Sequence, residues 1–259
     1  MRSAYPTQGS YSEASTMAMT GMPAGDRGLT QKELARRIDH TLLKPTALAA
    51  DYSRLFDEAV EYHFWSVCIP PSRVAMAAAK LKGTGVKVCT VVGFPLGYTS
   101  PMTKKEEARN AIAEGADEID MVMNVGAFRG REFSTVRSEV REVSAVCKGA
   151  GKVLKVIIEC CYLTNEEKVR AGRLVERLGA DYVKTSTGFG PGGATVKDVA
   201  LLRKSLAGSA KVKASGGIGT LAKALEMLRA GADRIGTSSG VAIMDELAIS
   251  RRPKAVKKR

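Results

Sequence analysis

Histidine and tryptophan are nearly absent from this 259-residue sequence, which holds two of the first and one of the second. A catalytic zinc centre draws about three protein ligands, most often histidine, and His40 and His63 alone do not supply such a set. No metal and no other cofactor is expected. Aromatic residues make up only 5% of the chain and none stands among the basic residues at its C-terminus, so the stacking platforms of single-strand nucleic-acid binders are missing. No apolar run approaches the roughly 18 to 20 residues that cross a bilayer, and the N-terminus lacks the basic-then-apolar order of a secretory signal. The expectation is a soluble, cytoplasmic protein with no membrane partner. The five cysteines, Cys68, Cys89, Cys147, Cys160 and Cys161, are odd in number, lack CxxC spacing and fall mostly in apolar runs, which suits reduced packing thiols.

What is present is the composition of a globular chain, 44% hydrophobic and 26% charged. The net charge of +13 is unevenly placed. The last nine residues, RRPKAVKKR, carry six positive charges, and residues 1–28 balance two arginines against two acids, so about half of the excess belongs to the body between them. A basic body suits a phosphorylated ligand and the tail reads as a solvated extension; a nucleic-acid partner is not expected. Residues 1–28, rich in Ser, Thr, Gly, Ala and Met without periodicity, read as a flexible leader. With two arginines and no amphipathic helix they do not resemble a transit peptide.

From residue 30 onward short β-branched runs alternate with helical patterns, the mark of βαβ units on a parallel sheet. Strands are predicted at 39–43, 64–69, 87–92, 118–124, 153–159, 182–185, 211–214 and 234–237. Helices are predicted at 49–62, 104–114, 131–147, 166–178, 196–206 and 221–229. Eight strands in a chain of this length match a single α/β (β/α)8 barrel, which needs about 250 residues, here with an extra N-terminal helix, over 29–250, and a basic tail over 251–259. An open doubly wound sheet would place a glycine-rich dinucleotide turn after its first strand, and that strand here leads into DHTLLKPT, which has no glycine.

In a closed barrel, alternate residues of each strand point inward. In LKVIIE this parity sends Leu154, Val156 and Ile158 to the helices and Lys155, Ile157 and Glu159 to the interior. In EIDMVMN it sends Glu118, Asp120, Val122 and Asn124 inward. Strand six turns Lys184 inward with Tyr182, strand seven aligns Lys213 with Lys211, and strand one contributes Asp39 and Thr41 while His40 faces out to pack or hydrogen-bond. His63, at a helix end, is expected on the surface. Isolated buried charges cost several kcal/mol each, so such a cluster is kept for pairing or for chemistry. Lysine becomes a nucleophile when a second cation lowers its pKa, and Lys184 and Lys213 sit on neighbouring strands. An amine so placed attacks a carbonyl and forms an iminium, with Asp120 placed to move protons.

Glycine-rich segments follow the last three strands: KTSTGFGPGGA, KASGGIG and RIGTSSG. They present backbone N–H groups at the carboxyl ends of the strands, where barrels of this kind bind phosphate. Gly188, Gly216, Gly217, Ser238 and Ser239 are the candidate phosphate contacts.

Together DHTLLKPT, VCIPP, ADEIDMVMNVGAF, LKVIIE, KTSTGFG, KASGGI and RIGTSSG resemble the deoxyribose-phosphate aldolases, over about residues 38–240. The resemblance implies a class I carbon-carbon lyase of deoxyribonucleoside catabolism, cleaving 2-deoxy-D-ribose 5-phosphate reversibly to D-glyceraldehyde 3-phosphate and acetaldehyde. It makes Lys184, of KTSTG, the Schiff-base lysine, Lys213, of KASGG, its assistant, and Asp120 the proton donor and acceptor. Asp39, Lys155, Thr41 and Cys68 fall in supporting positions. A homo-oligomer, commonly a dimer, is also implied. Two features depart from the resemblance. Some relatives have a C-terminal tyrosine, and this chain has none after Tyr182; some have lysine after KTSTG, where Phe189 stands here. The alternatives are another class I phosphosugar aldolase, or a barrel that binds a phosphosugar or nucleic acid without chemistry.

Overall fold

The computed structural model describes residues 29–251; the leader expected over 1–28, and the basic tail apart from Arg251, lie outside the described residues. Eight parallel strands close into a barrel in sequence order: β1 (Ile38–Thr41), β2 (Ser66–Ile69), β3 (Lys87–Val92), β4 (Glu118–Val122), β5 (Val153–Ile157), β6 (Tyr182–Lys184), β7 (Lys211–Ser215) and β8 (Arg234–Thr237). Around them run α1 (Gln31–Ala35), α2 (Ala49–Glu61), α3 (Val74–Lys80), α4 (Pro101–Ala113), α5 (Val125–Arg129), α6 (Phe133–Gly149), α7 (Asn165–Arg177), α8 (Val196–Ser205), α9 (Leu221–Arg229) and α10 (Gly240–Ser250). The predicted (β/α)8 barrel with its extra N-terminal helix, α1, is the observed fold. Among the described residues no helix is long and apolar enough to cross a membrane.

The core lies between sheet and helices. Outward residues of the strands, among them Ile38, Ile119, Met121, Leu154 and Val156, have no solvent exposure and each such burial stabilises the fold by about 1.5–3 kcal/mol. The helices meet them with apolar stripes: α2 buries Tyr52, Leu55, Phe56 and Ala59, spaced for one face. Helix starts are set by side chains that satisfy free amides. Thr30 with Glu33 opens α1, Thr164 with Glu167 opens α7, and Ser100 followed by Pro101 opens α4.

Several boundaries and helices differ from the sequence expectation. β1 ends at Thr41 rather than 43, and β5 at Ile157 rather than 159, where Glu159 turns to a left-handed φ of 51°. Between β4 and β5 the chain forms two helices, because Arg131 takes a φ of 63° and interrupts the path. Helices α3 and α10 were not expected; α3 is short, and α10, GVAIMDELAIS, is apolar on too many sides for a helical stripe to stand out. His40 and His63 fall as predicted. His40 Nε2 lies 2.8 Å from Glu58 with its ring tilted on Phe64, and His63 is exposed.

Candidate active site

Strand register brings the charged interior residues together. Lys184 pairs in register with Lys213, Asp120 with Lys155, and Lys155 with Tyr182. Lys184 Nζ and Lys213 Nζ both donate to Asp120 Oδ2, each at 2.7 Å. Lys155 Nζ donates to Asp120 Oδ1 at 2.9 Å and lies 2.5 Å from Glu118 Oε2. Lys213 Nζ is 2.5 Å from Asp39 Oδ2, and the other oxygen of Asp39 accepts from Arg234 Nη1 at 2.8 Å. All seven side chains are buried, the most exposed of them at 5%.

Each charge is held by its partners against the cost of burial. Burial alone would raise the Asp120 carboxyl, but the ammonium groups of Lys155, Lys184 and Lys213 outweigh it and hold Asp120 well below the usual carboxylate range. Asp39 is likewise depressed, burial being overcome by Lys213, Arg234 and Lys155. Burial would lower Lys213, but Asp120 and Asp39 raise it above the ordinary lysine range, and Lys155 is raised in the same way by Asp120, Cys89 and Glu118. The second cation expected beside Lys184 is therefore present and stays charged.

Room for Lys213 depends on the facing strand. A Cβ built on Gly236 of β8 would lie 3.1 Å from Lys213 Cε and 3.0 Å from Ser215 Cβ, closer than such contacts normally come. Thr41 donates its hydroxyl to the Asp39 carbonyl and steadies the end of β1. Cys68 and Cys89 are fully buried beside Asp120, and among the described residues these three form the group that could ligate a metal. A cation there would compete with three ammonium groups for the oxygens of Asp120, and with Lys155 Nζ, 3.4 Å from Cys89 Sγ.

A cavity of about 570 Å³ opens over Lys184 at the carboxyl ends of the strands. Gly188, Gly216, Gly217, Ser238 and Ser239 all line it, as does Thr41. Gly216 has a φ of 87° and a Cβ there would fall 2.9 Å from Gly193 Cα, so two backbone segments touch at the rim. The Ser239 amide is already used, donating to Thr237 Oγ1, and α10 starts at the next residue, so the helix N-terminus lies at the rim that Ser238 and Ser239 line.

Four residues escaped the sequence reading of the site. Arg234 shares the inward parity of Gly236, so the alternation applied to the other strands would have found it. Glu118 was placed inward but not assigned to the site. Lys44, in DHTLLKPT, lines the cavity as an exposed cation. Glu159 accepts from the Thr187 amide at 3.2 Å and from its hydroxyl, and Thr187 Oγ1 in turn accepts from the Phe189 amide at 3.0 Å, which pins the loop after β6. No local pattern in the sequence signals this contact.

A closed (β/α)8 barrel with a charged interior that opens onto a glycine-lined cavity at the carboxyl ends of its strands has the build of a barrel enzyme. The sequence model of the DeoC/LacD family aldolases matches residues 34–246. Deoxyribose-phosphate aldolase of Thermococcus kodakarensis is 52% identical over 219 residues, covering 84% of this chain and 98% of that protein. The enzyme of the same name from a Geobacillus species is 55% identical over 215 residues, covering 83% and 96%. The tetrameric deoxyribose-phosphate aldolase of Aeropyrum pernix superposes with a TM-score of 0.79 at 34% identity, covering 85% and 92%. The chain belongs to the DeoC/LacD aldolase family.

Proposed function

We propose that the protein cleaves 2-deoxy-D-ribose 5-phosphate reversibly to D-glyceraldehyde 3-phosphate and acetaldehyde, with Lys184 as the Schiff-base nucleophile, Lys213 as its cationic assistant and Asp120 as proton donor and acceptor. The observation that carries this reading is the oxygen shared by the two lysines: Lys184 and Lys213 meet on Asp120 Oδ2 directly below the cavity. The names of the relatives support the substrate.

The free amine of Lys184 adds to C1 of the open-chain sugar and water leaves, giving an iminium. The C3 hydroxyl gives its proton to Asp120, which later returns it to C2; the C2–C3 bond breaks, and its electron pair enters the iminium as an enamine while glyceraldehyde 3-phosphate departs. Protonation at C2 and hydrolysis release acetaldehyde and restore the amine. Because both amines donate to one oxygen, Asp120 Oδ2 can take a proton from the Lys184 side and return it there, while Lys213 remains a cation beside the developing charge. Asp39 and Lys155 hold Lys213 and Asp120 in place, Thr41 fixes the strand that carries Asp39, and Cys68 fills the interior beside Asp120. Gly188, Gly216, Gly217, Ser238 and Ser239 receive the phosphate.

The wider setting is a homo-oligomer, a dimer in the simplest case, in the reducing cytoplasm; the Aeropyrum pernix relative is a tetramer, and light scattering of the purified protein reads the state directly. For the chemistry, the protein is incubated with 2-deoxyribose 5-phosphate and borohydride in the presence of chelator, and the reduced adduct is mapped by peptide mass spectrometry. An adduct on Lys184 is expected. Glyceraldehyde 3-phosphate released with no adduct would overturn the mechanism, and neither product nor adduct would overturn the substrate.

A further inference from the structure

The charges in the barrel interior do not balance. Lys155, Lys213 and Arg234 face the three carboxylates Asp39, Glu118 and Asp120, and Lys184 is a fourth cation over a set that is already neutral. Arg234 belongs to the closed end of the barrel. It lines the cavity at the amino ends of the strands with Trp65, Glu118 and Lys211, and not the cavity over Lys184. Its guanidinium lies between the rings of Trp65, 4.4 Å away, and Tyr182, 5.4 Å away. It donates to Asp39 at 2.8 Å and to the Tyr182 hydroxyl at 3.1 Å, and stands 3.5 Å from Glu118, which itself accepts from Trp65 Nε1 at 2.6 Å. A guanidinium so held cannot lose its proton in a protein.

We propose that Arg234 is a positioning residue that makes Lys184 the amine left free, by supplying the third positive charge that three buried carboxylates require. With Arg234 in place, a proton on Lys184 leaves one uncompensated positive charge in a dry interior; releasing it restores neutrality. Without Arg234 that proton becomes the third charge and is retained. Strand by strand, the inward groups are Asp39 on β1, Cys68 on β2, Cys89 on β3, Glu118 and Asp120 on β4, Lys155 on β5, Tyr182 on β6, Lys213 on β7 and Arg234 on β8. Burial pushes the Cys89 thiol and the Tyr182 phenol up and keeps them neutral, the Cys68 thiol is drawn down by its hydrogen bond with Cys89, and Lys211 of β7, 5.8 Å over the Tyr182 ring, is exposed at the rim. Lys44 and Glu159 at the mouth form no ion pair with the cluster among the described residues. The inference rests on Lys184 being the nucleophile, and it predicts opposite effects for opposite charges, which loss of packing does not.

The test reads the free amine without any aldol chemistry. The full-length protein and its variants are exposed to a trace of acetic anhydride across pH, and acetylation of Lys184 is quantified by peptide mass spectrometry relative to the exposed Lys82. Arg234→Met should raise the labelling midpoint by about one pH unit or more, so that labelling at neutral pH falls about tenfold. Glu118→Gln should move the midpoint down, and Arg234→Lys should stay near the parent. A folded Arg234→Met protein with an unmoved midpoint, or both variants shifting in the same direction, overturns the proposal. Should Arg234→Met fail to fold, Glu118→Gln decides alone, and a midpoint that stays or rises rejects it. These shifts together with an absent borohydride adduct on the parent would reject the aldolase reading and leave the role of Arg234 standing.

Discussion

Gly236 faces Lys213 across neighbouring strands so closely that a methyl group on the glycine would sit 3.1 Å from the lysine Cε. Gly236→Ala is therefore expected to displace the Lys213 chain from Asp120 and Asp39 while leaving the fold intact, at a stability cost of about 1–3 kcal/mol. Turnover should fall about tenfold or more, because a displacement of under 1 Å is enough to disturb an aligned centre. Steady-state kinetics beside a urea titration checks this; unchanged kcat would mean that the lysine adapts without loss.

Lys184 should be dispensable for folding and indispensable for turnover. Its ammonium is the surplus charge of the interior, 3% exposed and paired only with an oxygen that Lys213 also uses. Lys184→Met should abolish the borohydride adduct and aldol cleavage, and stabilise the protein by on the order of 1 kcal/mol, or roughly 2–4 °C in Tm. A large loss of stability would show that the site is structural before it is functional.

Much of this centre was legible in the sequence. Period-two alternation in LKVIIE and EIDMV was enough to point Lys155, Glu118 and Asp120 inward, since the apolar set of each strand belongs against the helices and the other set then faces the barrel interior. What escaped depends on contacts between distant segments. Lys104, in the polar run MTKKEE, reads as a solvated helix residue, yet it is fully buried, bonded to the carbonyls of Gly97 and Val122 and paired with Glu139 at 2.5 Å. Its burial follows from α4 packing on α6, which no local pattern encodes. Glu159 was placed inward, but its left-handed backbone and its grip on Thr187 come from the loop that lies over it.

Stability should form a plateau between about pH 7 and 8.5 and fall on either side. The Asp39 and Asp120 carboxyls are depressed in the folded state, so their contribution is complete above the unfolded value, about 4, and is lost as pH falls further. Burial also lowers His40, against the pull of Glu58; that neutral ring adds to the acid loss from about pH 6.5 down. Burial raises the Cys89, Cys147 and Cys160 thiols, so their contribution is complete below the unfolded value, about 8.5, and is lost as pH climbs past it; Lys155 and Lys213, also raised, add to the loss above about 10.4. Urea midpoints across pH measure the profile. Asp120→Asn should flatten the limb below pH 4, and an unchanged limb would assign acid unfolding to other carboxyls.

The loop after β6 offers the clearest separation of binding from chemistry. Glu159 is 3% exposed, accepts from the Thr187 amide and hydroxyl, and among the described residues forms no hydrogen bond or ion pair with the interior lysines. Thr187 and Gly188 line the cavity on the side where phosphate is proposed to bind. Glu159→Gln trades charge-assisted bonds, worth about 1.5–3 kcal/mol each, for neutral ones of about 0.5–1.5, so the loop should loosen without moving Lys184. KM for 2-deoxyribose 5-phosphate should rise about tenfold with kcat within about threefold, the pattern of lost ground-state and transition-state binding alike. Glu159→Gly, which accepts the φ of 51° without strain but removes the anchor, should raise KM further. If kcat falls instead and KM holds, the loop positions the reacting carbon and the phosphate is held elsewhere on the cavity wall.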